Sequence, residues 1–207
     1  MSAQALDRRN ISPQTLEKLR ATVIQLFSQG LFHKVGIRDI AKQAEVGPQT
    51  IYKYFGNKDE LIFACIKPDL EALTEELQRA VEDAGTQALD QFRAFLFAFV
   101  GYYLRNRRIA EIVYFTIPAR QWVANPEFTQ DGMMNLLEQV LELGQSQGSV
   151  RADASAKELV DLMAGAFSRY IMRKLTELQM QDADQECEHL LRLALPLVQQ
   201  SPVKTGT

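Results

Sequence analysis

The side chains of one short stretch, Gln49-Thr50-Ile51-Tyr52-Lys53-Tyr54, have types that can contact nucleic acid. Glutamine can form two hydrogen bonds with adenine, and the methyl group of threonine can touch the methyl group of thymine. Gln49 and Thr50 are therefore candidates for contacts with base edges. Such contacts need a scaffold that presents neighbouring side chains to a groove of DNA, so the next question is what surrounds this stretch.

Charge is unevenly distributed along the 207 residues. Residues 1–56 hold eight Lys or Arg and four Asp or Glu, a balance of +4, whereas the remainder balances at −7. The net charge of −3 is thus an average over two unlike parts. Because proteins that neutralise phosphates concentrate basic residues locally, the first quarter of the chain has the charge of a nucleic-acid-binding module.

Residues for catalysis or metal binding do not occur in a recognisable pattern. His33 and His189 lie far apart in the sequence, and Cys65 and Cys187 show no metal-ligand spacing. We therefore predict no enzyme, no metal site and no cofactor. Two unpaired cysteines, an N-terminus without an apolar segment and a longest apolar run of only 94–104 predict a cytoplasmic protein, because a bilayer span needs about 20 apolar residues.

Apolar residues recur every three or four positions nearly throughout, which predicts an all-α fold of about nine helices. Ser12 and Pro13 are typical of a helix start, and Gly30 of its end. Two short helices, Ile37 to Ala44 and Pro48 to Phe55, are joined by three residues and must cross steeply, as in a helix-turn-helix. Further helices are predicted at about 57–85 with a bend near Pro68, and at 86–105, 109–116, 128–147, 155–179 and 184–199.

Three segments together resemble the tetracycline-repressor (TetR) family: Phe27 to Gly30, Gly36 to Val46 and Ile51 to Leu61. The resemblance implies a regulator, most often a repressor, that binds a near-palindromic operator as a dimer and releases it when a small molecule enters the C-terminal domain. It implies a helix-turn-helix DNA-binding domain of residues 1–56 and a ligand-binding and dimerisation domain of residues 57–200. Residues 1–10 and 201–207 are expected to be disordered.

The N-terminal end of the second motif helix enters the major groove in helix-turn-helix proteins, which supports Gln49 and Thr50 as base-contacting residues. By resemblance, Tyr52, Lys53, Tyr54 and Lys58 contact phosphates. Arg38, at the start of the preceding helix, is expected against the flanking backbone. Phosphate contacts set affinity and register but do not select sequence.

Three positions depart from the family pattern. Gly36 and Gly47 stand where the family commonly has Ser or Thr as helix caps, so no side-chain oxygen is available there. Glu45 stands where the turn usually has Gly, and a left-handed conformation would cost a non-glycine residue about 1 kcal/mol or more. The usual phosphate contact near residue 36 is therefore not expected here.

The C-terminal part is rich in aromatic side chains, and residues 92–104 are apolar nearly all round, as in a central helix. Most of these residues are expected in the core, but ligand pockets are also mostly apolar. The candidates for lining a pocket are Phe99, Tyr103, Trp122 and Phe167. The expected effector is apolar and sizeable, either a fatty acyl compound or a lipophilic aromatic molecule.

The last two predicted helices resemble the pair that forms the dimer interface in the family. One apolar face is expected on each: Leu159, Leu162, Met163, Ala166, Phe167 and Tyr170 on the first, and Leu190, Leu191, Leu193, Ala194 and Leu197 on the second. A twofold dimer would present two recognition helices about 34 to 36 Å apart. The alternative is an all-α small-molecule-binding or adaptor protein that reads no DNA, which would not need the +4 segment.

Overall fold

A computed structural model describes residues 11–28, 34–117, 131–177 and 182–200. Within these ranges there are nine α-helices, so the predicted all-α fold is confirmed. The single extended pairing among the described residues is an isolated bridge between Val150 and Gln199. The helices are α1 Pro13–Phe27, α2 Ile37–Gln43, α3 Pro48–Phe55, α4 Lys58–Asp83, α5 Ala88–Arg105, α6 Arg107–Glu111, α7 Asp131–Ser146, α8 Ala156–Thr176 and α9 Ala183–Val198.

The chain separates into two compact units. The N-terminal unit contains the described residues within Met1–Glu71 and Arg107–Phe128, and the C-terminal unit those within Ala72–Asn106 and Thr129–Thr207. The N-terminal unit therefore contains the first half of α4 and all of α6 in addition to the helix-turn-helix. The functional boundary at residues 56 and 57 stays a prediction.

Several predicted helix starts are present with their capping hydrogen bonds. The backbone N–H of Thr15 donates to Ser12 Oγ at 3.1 Å, and that of Glu60 donates to Asn57 Oδ1 at 2.9 Å. Ser155 caps α8 in the same way. Helix α1 ends at Phe27, and the predicted stop at Gly30 lies outside the described residues, as do the predicted disordered ends 1–10 and 201–207.

The core of the N-terminal unit forms where α1, α2 and α3 meet. Its fully buried side chains are Leu19, Val23, Phe27, Ile40, Ile51 and Phe55, and the small Ala41 lies among them at the α2–α3 crossing. A π-helical turn at Ile112–Thr116 follows α6, and the buried Thr116 hydroxyl donates to the Phe27 carbonyl at 3.0 Å. This last bond closes the end of α1 against a segment about 90 residues later in the chain.

In the C-terminal unit, α5 is the central helix and packs against α7, α8 and α9. Eleven of its eighteen residues are buried, in line with its predicted position. Gly144 of α7 allows a close approach, because a Cβ atom at this position would lie 2.3 Å from Val150 Cγ2. No helix in the described ranges has the length and apolar character that a membrane span requires.

Candidate nucleic-acid interface

The turn between α2 and α3 consists of the four residues 44–47. Glu45 has φ +57°, in the left-handed region, and the Val46 N–H donates to the Ala41 carbonyl at 2.9 Å. The left-handed conformation considered for Glu45 from the sequence is therefore present, with its cost of about 1 kcal/mol. The Glu45 carboxylate lies 3.0 Å from Lys18 Nζ, but both side chains are exposed, so this ion pair contributes little stability.

Helix α3 buries one face and exposes the other. Ile51 and Phe55, four residues apart, are buried, whereas Gln49, Tyr52 and Lys53 are exposed, with Tyr52 53% accessible. Positions 49, 52 and 53 lie on one side of a helix because they are three and four residues apart. The buried residues thus fix the helix and leave a polar and aromatic surface on its outer side.

The other predicted contacts are less accessible. Thr50 and Tyr54 are half-buried, and Arg38 is exposed near the start of α2. Lys53 Nζ lies 4.9 Å from the centre of the Tyr54 ring, so its cation is held over an aromatic face. The structure brings all of these residues onto the α2–turn–α3 segment.

Lys58 makes a backbone contact that the sequence did not predict. Its Nζ donates to the Val35 carbonyl at 3.2 Å, and the Gly36 N–H next to that carbonyl donates to Asp39 Oδ2 at 2.8 Å. An acidic residue three positions after a helix cap is a readable signal, so Asp39 could have been found. The Val35 carbonyl carries no signal in the sequence, since backbone groups are the same at every position.

Residues 19–65 match the family described as bacterial regulatory proteins, tetR family. The matched part of the chain, residues 19–65, belongs to the TetR family. The matched residues include α2 and α3, and so include the exposed face of α3. TetR proteins are transcription regulators with a helix-turn-helix DNA-binding domain, so the predictions of the family, the DNA-binding motif and the absence of enzymatic activity are confirmed.

Known proteins are similar to this chain over part or most of its length. The HTH-type transcriptional regulator HbdR of Aromatoleum sp. (strain CIB) is 32% identical over 85 residues, which are 39% of this chain and 37% of HbdR. The chain spans less than half the length of each curated relative it matches. These relatives therefore support only part of the chain.

Solved structures support the fold over most of the chain. The fatty acid degradation regulator FadR from Bacillus halodurans superposes with a TM-score of 0.76 at 15% identity, covering 90% of this chain and 96% of FadR. FadR from Bacillus subtilis, crystallised in complex with stearoyl-CoA, superposes with a TM-score of 0.75 at 16% identity. The superposition covers 86% of this chain and 97% of that FadR. At these identities the likeness shows that the chain has the TetR fold.

Three of the four predicted pocket residues lie together in the C-terminal unit. Phe99, Tyr103 and Phe167 are all buried, and the Phe99 ring centre lies 5.3 Å from that of Tyr103 and 6.3 Å from that of Phe167. The fourth, Trp122, lies outside the described residues. Among the described residues these aromatic rings contact one another as core residues do, and their role in ligand binding stays a prediction.

The two apolar faces predicted for the dimer interface divide into buried and exposed residues. Leu162, Leu193 and Leu197 are 51%, 56% and 41% exposed. Most of the other residues assigned to those faces are buried within the C-terminal unit: Leu159, Met163, Phe167, Tyr170, Leu190, Leu191 and Ala194. The predicted residues of each face are thus partly buried in this unit and partly exposed, and their role in a dimer interface stays a prediction.

A buried carboxylate joins α8 to α9. Glu186, 3% exposed, accepts a hydrogen bond from the Tyr170 hydroxyl, and its Oε1 lies 2.8 Å from Lys174 Nζ. Burial opposes the charged form of Glu186, but the bonds from Lys174 and Tyr170 outweigh it and lower the pKa of the carboxyl group. Burial and the neighbouring carboxylate raise the pKa of the Tyr170 hydroxyl. The network thus holds a charged pair in the interior.

The cysteines have a structural environment. Cys65 and Cys187 are both buried, and burial raises the pKa of each thiol to about 12. Thiols with so high a pKa are poor nucleophiles and poor metal ligands at neutral pH. Over the described part of the chain, no three His, Cys, Asp or Glu residues are grouped as metal ligands.

Proposed function

We propose that this TetR-family regulator acts in the cytoplasm as a repressor that binds a palindromic operator as a homodimer and is released by an apolar small molecule. The observation that carries the DNA-binding proposal is the exposed face of α3, where Gln49, Tyr52 and Lys53 lie opposite the buried Ile51 and Phe55. This helix lies in the basic quarter of the chain. A fixed helix with an exposed polar face is what insertion into the major groove requires.

The predicted contacts then take different roles. Gln49, exposed at the N-terminal end of α3, is proposed to bond a base edge, with the half-buried Thr50 beside it. Tyr52, Lys53 and Tyr54 are proposed to contact DNA phosphates beside α3. Arg38, on α2, is proposed to contact the flanking DNA backbone. The phosphate contact that the resemblance implied for Lys58, the first residue of α4, stays a prediction.

The exposed leucines support the proposed dimer. Leu162 of α8 and Leu193 and Leu197 of α9 belong to the two helices expected at the interface, and each exposes more than two fifths of its side chain. Leu193 and Leu197 are four residues apart and share one side of α9. Burying them against a second copy would remove this apolar surface from water.

The effector is proposed to be a fatty acyl compound, with a lipophilic aromatic molecule as the other class. The buried aromatic cluster around Phe99, Tyr103 and Phe167 supports an apolar ligand. The structure of FadR from Bacillus subtilis in complex with stearoyl-CoA supports the acyl class, since that protein shares the fold. Stearoyl-CoA is therefore the first compound to test.

DNA binding is tested with fragments from the region upstream of the protein's own gene. We expect retention of a fragment in gel-shift assays, with two chains per operator and affinity that falls steeply between about 50 and 200 mM salt. Random-sequence DNA of equal length is the control. Failure to retain any fragment at about 50 mM salt would refute the repressor proposal and favour an all-α small-molecule-binding or adaptor protein.

The effector is tested separately by melting temperature and by release. A ligand specific for the folded protein raises the melting temperature, but a true effector must also weaken DNA binding, because it acts through different affinities for two states. We expect stearoyl-CoA to do both and coenzyme A alone to do neither. Stabilisation without release would reject stearoyl-CoA as an effector while leaving DNA binding intact.

A further inference from the structure

The peptide group between Val35 and Gly36 is bonded on both sides by charged side chains. Its carbonyl accepts from Lys58 Nζ at 3.2 Å, and its N–H donates to Asp39 Oδ2 at 2.8 Å. We call Lys58, Asp39 and this peptide group the α2 clamp. A cation at the carbonyl and an anion at the N–H both favour the existing peptide dipole, so the two bonds reinforce each other.

The α2 clamp lies where α2 has no capping side chain. Gly36 is the N-cap, with φ −98° and no side-chain oxygen, and its carbonyl accepts from the N–H groups of Asp39 and Ile40 at 3.1 and 3.2 Å. Glycine has the widest choice of backbone conformations, so its own sterics do not hold this orientation. The two charged side chains therefore restrain the peptide group in front of the N-cap, whereas the Asp39 N–H, which a Ser or Thr cap would bond, donates to the Gly36 carbonyl.

Lys58 is otherwise in an unfavourable place. As the first residue of α4, it stands at the positive end of a helix dipole, where a cation is disfavoured. Its half-buried ammonium gains compensation from the Val35 carbonyl, and Val35 itself is buried. The contact thus joins the start of α4 to the start of α2.

We propose that Lys58 is a positioning residue for DNA binding, which acts through the α2 clamp to set the direction in which α2 begins. Arg38, two residues after the clamped peptide, is exposed on α2, so the direction in which α2 begins also sets where Arg38 meets the DNA backbone in the proposed complex. This inference rests on the proposed DNA binding. It assigns Lys58 a role that differs from the direct phosphate contact expected from the resemblance.

The first test compares Lys58→Met with Lys53→Met on a random-sequence 30-base-pair duplex between about 50 and 200 mM salt. A lost phosphate contact lowers the slope of log affinity against log salt by about 0.9. We expect that decrease for Lys53→Met, whereas Lys58→Met should weaken binding roughly tenfold at each salt concentration with an unchanged slope. A fall in slope for Lys58→Met equal to that of Lys53→Met would overturn the positioning role.

The second test uses the sign of an effect. Asp39→Ala removes a negative charge from the DNA-binding unit, so simple charge attraction predicts tighter binding to the same duplex. The α2 clamp predicts the opposite, a decrease of fivefold or more in affinity for the duplex. Tighter binding by Asp39→Ala would contradict the clamp. Circular dichroism melting of each variant establishes that both are folded at the assay temperature.

A third measurement needs no DNA and separates this inference from the proposed function. The N–H of Gly36 is protected by Asp39, and the clamp predicts that Lys58→Met increases its hydrogen-exchange rate at least fivefold relative to the unchanged protein. An unchanged rate would overturn the clamp. If the unchanged protein binds no duplex at about 50 mM salt, the proposed function fails, and this exchange rate still decides whether the clamp exists.

Discussion

The recognition segment and the C-terminal unit hold their functional candidates in opposite ways. On α3, Gln49, Tyr52 and Lys53 are exposed and are presented by a helix whose other face is buried. In the C-terminal unit, Phe99, Tyr103 and Phe167 are themselves buried and contact one another. Substitutions on α3 should therefore change binding with little change in stability, whereas substitutions among the buried rings should change stability first.

The largest effect is expected for Phe167→Ala. The Phe167 ring contacts Phe92 and Phe99, with ring centres 6.4 and 6.3 Å apart, and its removal leaves a cavity. We expect a loss of about 3 to 5 kcal/mol in the free energy of unfolding, measured by urea denaturation. Phe115→Ala is the control, because Phe115 is exposed and should cost less than about 0.5 kcal/mol. Equal losses of unfolding free energy for Phe167→Ala and Phe115→Ala would contradict the expectation that the buried rings of the C-terminal unit determine its stability.

The next effect concerns the buried charges of the C-terminal unit. Glu186→Gln leaves the Lys174 ammonium without its buried carboxylate, and we expect a loss of about 3 kcal/mol at pH 7. Because the pKa of Glu186 is lowered in the folded protein, its contribution is present above the unfolded pKa and disappears as the pH falls through the folded value.

The unchanged protein and the Glu186→Gln variant should therefore approach the same free energy of unfolding in acid. Urea denaturation at several pH values measures this difference. Glu177→Gln is the matched control, since Glu177 also pairs with Lys174 but is about one third exposed and should cost less. A stability difference for Glu186→Gln that persists unchanged at low pH would contradict the charged network.

A smaller effect, of a different kind, is expected for Gln49→Ala. The loss of a base contact should reduce discrimination at one base pair by about 1 to 3 kcal/mol, measured by competition among operator variants. The unfolding free energy should change by less than about 0.5 kcal/mol, because Gln49 is exposed. An equal loss of affinity for operator and random DNA would reject the base-reading role.

The smallest effect is expected for Glu45→Gly. Glycine relieves the left-handed conformation, worth about 1 kcal/mol, but the ion pair with Lys18 is lost. Exposed pairs contribute about 0 to 1 kcal/mol, so the protein should gain at most about 1 kcal/mol in urea denaturation. Lys18→Met removes the pair without relieving the backbone and should be neutral or slightly destabilising. A loss above about 1 kcal/mol for Glu45→Gly would show that this side chain has a larger role in the turn.

Local sequence features predicted the bounds of the helices more accurately than the tertiary contacts around them. The bounds of α3 agree with the prediction, because Pro48 begins it and the pair Ile51 and Phe55 fixes its buried face. The π-helical turn at Ile112–Thr116 was expected to be part of an ordinary helix. Its Thr116 hydroxyl bonds the distant Phe27 carbonyl, a contact that periodicity does not reveal.

The C-terminal helices show why faces were harder to predict than helices. In each predicted face of α8 and α9 most residues are buried and a few are exposed, and periodicity alone did not separate Leu162, Leu193 and Leu197 from their buried neighbours. Which side is covered depends on how α5 and α7 pack, and that arrangement is not a property of either helix alone.

The sequence by itself determined the helical periodicity, the basic N-terminal quarter and the helix-turn-helix, because capping, spacing and charge are properties of neighbouring residues. Tertiary structure decided that the Lys58 ammonium bonds the Val35 carbonyl, that Glu186 is buried beside Lys174, and that three leucines stay exposed. Each of these depends on atoms brought together by packing. Residue type and spacing along the chain do not specify such contacts, since a backbone carbonyl or a buried face is defined only by what folds against it.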